Sequence, residues 1–139
     1  MLLVDAETTV PENANVWDIV ANREGDRWQK PAWATEHHLY LMVCMLETWL
    51  LTDLDALQQF FKRNFNPAVL PKTNLESRSK EEIERALERA TQHSVKGVYQ
   101  HGQSHEIIEK VKPGRVKTLK HGERLFNNLS ALIRDESGV

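Results

Sequence analysis

The sequence predicts an α/β fold, a partial sheet flanked by helices with a mainly helical carboxyl-terminal half, and three features carry that expectation. Two short apolar runs, at Met1–Val4 and His38–Leu46, read as buried strands. Four or five segments show apolar residues at helical spacing, and most of them lie in the second half. Proline, glycine and asparagine clusters separate these segments.

The first run stops at Asp5-Ala6-Glu7, so the strand delivers acidic side chains from its carboxyl end. Thr8–Asn15 holds Pro11 and two asparagines and reads as a loop. Asn15–Asn22 fits a short helix burying Trp17, Ile19 and Val20, and a polar turn region carrying Trp28 follows from Gly25 to Pro31. The second run is almost continuously apolar, which places it centrally in a sheet. Glu47–Phe61 then carries Trp49, Leu50, Leu54, Leu57 and Phe61 at helical spacing. Asn64–Asn74 holds two prolines and is a loop.

Ser79-Lys80-Glu81-Glu82 has the form of a capping box, with Ser79 accepting from the amide three residues on and Glu82 reaching back. It opens a helix running to about Gln92 with Ile83, Leu87 and Ala90 on one face. Gln103–Val111 predicts another helix, ended by Pro113-Gly114. The last helix spans roughly Thr118–Ile133 and is expected to bury Leu125, Leu129, Leu132 and Ile133. Two strands make a poor sheet alone, so a sheet completed elsewhere is expected.

At 139 residues the chain fits one domain, 1–139, with an ordinary composition for a folded soluble protein: 40% hydrophobic and 27% charged. The lone Cys44 excludes an internal disulfide framework, and no signal peptide or membrane-length apolar run is visible, so the expected setting is the cytoplasm. Net charge is −2, but the halves differ. Met1 to Phe60 holds ten acidic residues against Arg23, Arg27 and Lys30; from Phe61 onward fifteen basic residues meet ten acidic ones. That asymmetry is compatible with an acidic cluster facing a basic surface, and equally with chance in a short chain.

Leu2-Leu3-Val4-Asp5-Ala6-Glu7, then Trp17-Asp18, Trp28, the block from Leu41 to Asp53, Tyr99, His105-Glu106-Ile107-Ile108 and Arg124-Leu125-Phe126 come in a familiar order. In this order the chain resembles a family of bacterial Toprim-like proteins classed as a domain of unknown function, often encoded beside ATPases in mobile-element and anti-phage loci. The resemblance covers nearly the whole chain and is most specific in Met42-x-x-Met45-Leu46-Glu47-x-Trp49-Leu50-Leu51-x-Asp53. It implies a Toprim-like, partly Rossmann-like sheet. Toprim domains carry an earlier strand ending in a glutamate, followed by a helix; nothing precedes Leu2 that supplies this βα unit.

Asp5 and Glu7 are two apart on a strand, which points both carboxylates to one face. Such a pair suits Mg²⁺ (or Mn²⁺), a cation that takes oxygen ligands and keeps waters for substrate phosphates. By resemblance they stand where Toprim enzymes place an Asp-x-Asp pair; the alternative is a solvated strand end. Glu47, beside the second strand's carboxyl end, is the third candidate metal ligand and the candidate catalytic base, against a plain helix-start role. Asp53 and Asp55 read as surface or capping groups.

Lys110, Lys112, Arg115, Lys117, Lys120 and Arg124 form the densest basic tract and are candidate nucleic-acid contacts, or else a solvated face. His101 and His105 are four apart, but zinc would need further ligands and finds no nearby cysteine. Cys44 reads as core, and the tryptophans as packing, with Trp28 and Trp33 the alternative for an exposed docking surface. No phosphate-binding glycine loop, Gly-x-Ser-x-Gly elbow, Cys-x-x-Cys pair or dinucleotide fingerprint occurs. Two expectations follow. One is a Mg²⁺-dependent protein or subunit that cleaves nucleic-acid phosphodiesters. The other is a non-catalytic interaction subunit completed by an ATPase or by a second copy.

Overall fold

The computed structural model describes residues 1–136. Its two strands, β1 (Leu2–Asp5) and β2 (Leu39–Met42), pair in parallel with Leu2 opposite Leu39 and Asp5 opposite Met42. Between them lies helix α1 (Val16–Ala21), started by Asn15, whose side chain accepts from the Trp17 amide. Five further helices follow β2 before the last: α2 (Leu46–Leu50), α3 (Leu54–Phe61), α4 (Lys80–Thr91), α5 (Ser104–Ile108) and α6 (Pro113–Val116). The last is α7 (Lys120–Glu136), packed along β2. The fold is thus mixed α/β, largely helical, with a small parallel sheet among the described residues. None of these helices is long and apolar enough to cross a membrane.

Alternation along β2 builds two cores. Leu39 and Leu41 face α1, joining Val16, Trp17, Val20 and Ala6. Tyr40 faces the other way, into the larger core of Trp49, Leu50, Leu57, Phe61, Ile83 and Leu87. Each fully buried aliphatic side chain contributes about 1.5–3 kcal/mol relative to exposure. Burial on both faces explains the continuous apolar run. It does not make β2 a central strand, because among the described residues only β1 pairs with it, and α7 packs along it as well.

Several elements differ from the sequence expectation. The second run forms a strand only to Met42, because Cys44 takes a positive φ of 62° and turns the chain into α2. The helix expected over Glu47–Phe61 is two helices. Asp53 breaks it: its backbone leaves the helical region, and its buried carboxylate accepts from Ala56 N at 3.2 Å, which starts α3. Ser79 caps α4 through Glu82 N as expected, but the Glu82 carboxylate turns to Arg78 at 2.8 Å instead of reaching back. Pro113 starts α6 rather than only ending α5, since a first-turn proline loses no helical hydrogen bond. Leu132 and Ile133 are 45% and 66% exposed, for α7 runs past the body it packs on after Leu129. Trp17 and Trp49 are core, Trp28 is half-buried, and Trp33 is exposed at 73%.

Candidate functional site: a carboxylate pair at the strand ends

The parallel register sets Asp5 beside Met42, so β1 and β2 end together, and Glu47 begins the chain's return just beyond. Asp5 is half-buried, near enough to the backbone amide of Leu46, first residue of α2, for that amide to favour its carboxylate. Glu47 is completely buried. Its Oε1 accepts two hydrogen bonds: from the Tyr99 hydroxyl at 2.7 Å and from His101 Nδ1–H at 2.5 Å. Asp5 Oδ1 and Glu47 Oε2, both shielded from solvent, have no protein partner. An unsatisfied buried polar atom costs on the order of 1–3 kcal/mol, and more when charged, so each of these oxygens carries a cost that no protein donor offsets.

Asp5 senses the charges around it. Burial raises the Asp5 carboxyl above its ordinary value, and the charges of Glu7 and Glu47 raise it further, against the opposing Leu46 amide and His101. Burial also raises the Tyr99 hydroxyl, and its bond to Glu47 adds to this, so it is a firm donor at any physiological pH. Burial raises the Cys44 thiol as well, and its side chain lies in the core.

Glu7 departs from the expected arrangement. The strand ends at Asp5, Ala6 is buried, and Glu7 has a φ of 63°, so the two-residue alternation stops before reaching it. Its amide donates to Cys44 O at 2.8 Å, while its exposed carboxylate pairs with Lys80 at 3.1 Å. Glu7 remains close enough to act on Asp5 electrostatically, and both residues line the same cleft. Among the described residues no three His, Cys, Asp or Glu side chains converge as a ready-made metal cluster. The residues present instead fit the mode Mg²⁺ commonly uses, one or two carboxylates with the remaining positions left to water and phosphate. The two bare oxygens of Asp5 and Glu47 would be the donors for it. An open cleft of about 1150 Å³ lies on the Asp5 side, lined by Asp5, Glu7, Arg23, Trp28 and Lys80 among others.

Residues 1–130, spanning both strands and this carboxylate pair, match the profile of a family described as a domain of unknown function (DUF4276). The chain belongs to the DUF4276 family. No curated protein and no solved structure matches it.

The basic residues of the DUF4276 chain do not form one face. Lys110 and Lys112 line a depression with Asp53 and Asp55, and the Lys112 amide donates to Asp53 Oδ2 at 3.0 Å. Arg115 stands 4.0 Å from Asp55. Lys117 is exposed, and Lys120 Nζ donates to Glu12 O at 2.9 Å. Arg124 is turned inward: it donates to Leu39 O at 2.9 Å and to Glu36 O, with its guanidinium 4.4 Å from the centre of the Tyr40 ring. His105 is exposed on α5, whereas His101 lies in the preceding 3-10 turn, so the pair does not share a helix.

Sequence reasoning did not find Tyr99 and His101 as partners of Glu47, or Arg23 and Lys80 beside the acidic strand end. Tyr99 lies 52 residues from Glu47, and no local pattern spans such a distance. Arg23 donates to Asp5 O at 2.6 Å and pairs with Asp26.

Proposed function

We propose that this DUF4276 chain is a Mg²⁺- or Mn²⁺-dependent protein or subunit that cleaves nucleic-acid phosphodiesters with Toprim-like chemistry. The observation that carries the reading is the pair of adjacent acidic side chains, Asp5 and Glu47, each presenting a shielded oxygen with no protein partner. Asp5 and Glu47 would hold the cation, and Glu7 would join them only by giving up Lys80. A cation bound there stabilises charge on a phosphoryl oxygen and lowers the pKa of a bound water. Lys80 supplies a positive charge in the same cleft for a phosphate oxygen. Lys110, Lys112, Arg115, Lys117 and Lys120 supply backbone contacts farther off, whereas Arg124 is committed to the fold. A cytoplasmic setting beside an ATPase, in anti-phage or mobile-element loci, belongs to the same reading through the Toprim-like resemblance.

A second reading, a non-catalytic subunit completed by an ATPase or a second copy, is favoured by Met1, Leu2 and Leu3. These apolar residues, just before and at the start of β1, are 51%, 45% and 40% exposed, a large uncovered share beside a parallel strand.

The test is incubation of the purified chain with supercoiled plasmid and Mg²⁺ or Mn²⁺, beside an Asp5→Asn control. Cleavage by the parent alone supports the first reading. Cleavage by neither, from protein with intact circular dichroism, moves the assignment to the second; cleavage by both removes Asp5 from the chemistry.

A further inference from the structure

Glu47 is held in an unusual way. Two donors, Tyr99 Oη–H at 2.7 Å and His101 Nδ1–H at 2.5 Å, converge on the same oxygen, Oε1, while Oε2 is left bare. A carboxylate retained only as a structural acceptor is best satisfied with donors on both oxygens. Loading one oxygen twice does something else: it stops rotation of the carboxylate and fixes where the other oxygen points. Metal-binding side chains are oriented in this way by hydrogen-bond partners that never touch the ion.

The segment carrying the two donors is anchored without their help. Thr91, buried at the end of α4, donates through Oγ1 to Leu87 O at 2.7 Å and accepts from Tyr99 N at 2.7 Å. Gln100 and Gln103 close the following turn by reciprocal hydrogen bonds. With the Tyr99 ring also packed edge-on against Phe61 in the core, the phenolic hydroxyl and the imidazole are not needed to place residues 99–103. The His101 side chain is 77% exposed, yet its Nδ1 reaches a carboxylate with no exposure at all. A surface imidazole spends its conformational freedom only on this contact.

From this geometry we infer that Tyr99 and His101 are positioning residues that clamp Oε1 of Glu47 so that Oε2 is presented, beside Asp5, to a divalent cation. The inference rests on the metal reading above and adds to it two residues that do not touch the ion.

Mn²⁺ alone is the probe, followed by calorimetric titration and by its electron paramagnetic resonance signal, with thermal melting recorded for every variant. The parent binds Mn²⁺ and Asp5→Asn does not. Tyr99→Phe and His101→Leu each weaken Mn²⁺ binding about 10–100-fold, the usual effect of losing such a partner, and the double variant weakens it further. His101→Asn, whose side-chain amide replaces the Nδ1–H donor, recovers most of the affinity lost in His101→Leu. The exposed imidazole makes the His101 variants safe for folding even if Tyr99→Phe is not. Parent-like Mn²⁺ affinity in both His101→Leu and Tyr99→Phe, with binding still abolished by Asp5→Asn, overturns the clamp and spares the metal reading. A parent that takes up no Mn²⁺ overturns both.

Discussion

Replacing Arg124 with alanine separates a fold-bearing cation from a nucleic-acid contact. Its guanidinium donates to Leu39 O at 2.9 Å and to Glu36 O, and lies over the Tyr40 ring at 4.4 Å. A hydrogen bond from a charged group contributes about 1.5–3 kcal/mol. The bond to Glu36 is exposed, which places it below that range, and a half-buried cation–π contact adds roughly 0.5–1 kcal/mol. Alanine also leaves the Leu39 carbonyl without its donor. The expected loss is about 3 kcal/mol, out of the roughly 5–15 kcal/mol typical of a whole domain. With a urea dependence near 2 kcal/mol/M, the unfolding midpoint drops by about 1.5 M. Arg124→Lys keeps the charge without the fork that spans two carbonyls, and loses about half as much. Lys117→Ala, at an exposed position of the same tract, stays within about 0.5 kcal/mol of the parent. Urea unfolding monitored by tryptophan fluorescence decides the matter. An Arg124→Ala midpoint within about 0.3 M of the parent, or a variant that binds nucleic acid less well at unchanged stability, refutes the reasoning.

Other outcomes follow from single contacts. A Cβ at Gly122 meets the Val116 carbonyl and, at 2.7 Å, its Cγ1; Gly122→Ala therefore lowers stability by about 1–3 kcal/mol in urea unfolding, although alanine is the better helix former. Asp53 caps α3 and also accepts from the Lys112 amide, so Asp53→Ala costs about 2 kcal/mol and exposes the 111–116 segment to faster amide exchange. Burial holds the His121 imidazole below its ordinary pKa, with Lys120 and Arg124 adding to the effect. The unfolded chain then binds the proton first, so stability is level above about pH 6.5 and falls as pH drops below it, by at most about 1.4 kcal/mol per unit. His121→Gln flattens that slope between pH 7 and 5.5; an unchanged slope rejects His121 as its source.

Local patterns in the sequence show through wherever neighbours along the chain decide the conformation. Ser79 announces α4, Asn15–Asn22 gives α1, and the apolar run before Asp5 becomes β1. Glu47 was accessible because side chains after parallel strands gather at the carboxyl ends, which is a rule of topology rather than of composition. The break at Asp53 was hidden because Leu50, Leu54, Leu57 and Phe61 keep their helical spacing across it. Alternation along β1 assumes an extended backbone, which a φ of 63° at Glu7 ends, so the pairing of its carboxylate with Lys80 lies outside what that rule can reach. The clamp on Glu47 was beyond reach for a different reason: Tyr99 and His101 arrive from the far end of α4, and only tertiary packing brings them there. Arg124 counted as one more charge in a basic tract until its guanidinium was seen against Leu39 O and Tyr40.

The sheet has two outward-facing rims, and each has an arginine set against a backbone carbonyl: Arg23 on Asp5 O and Arg124 on Leu39 O. Unpaired strand rims are templates for another chain, and a positive charge planted on them discourages strand addition. The β2 rim is further covered by α7, whereas the β1 rim relies on Arg23 near its carboxyl end and leaves Met1 to Leu3 uncovered. Any unwanted stacking of chains would therefore start at the first three residues. Loss of Arg23 would lengthen that vulnerable rim toward Asp5, carrying self-association into the cleft where the acidic side chains stand.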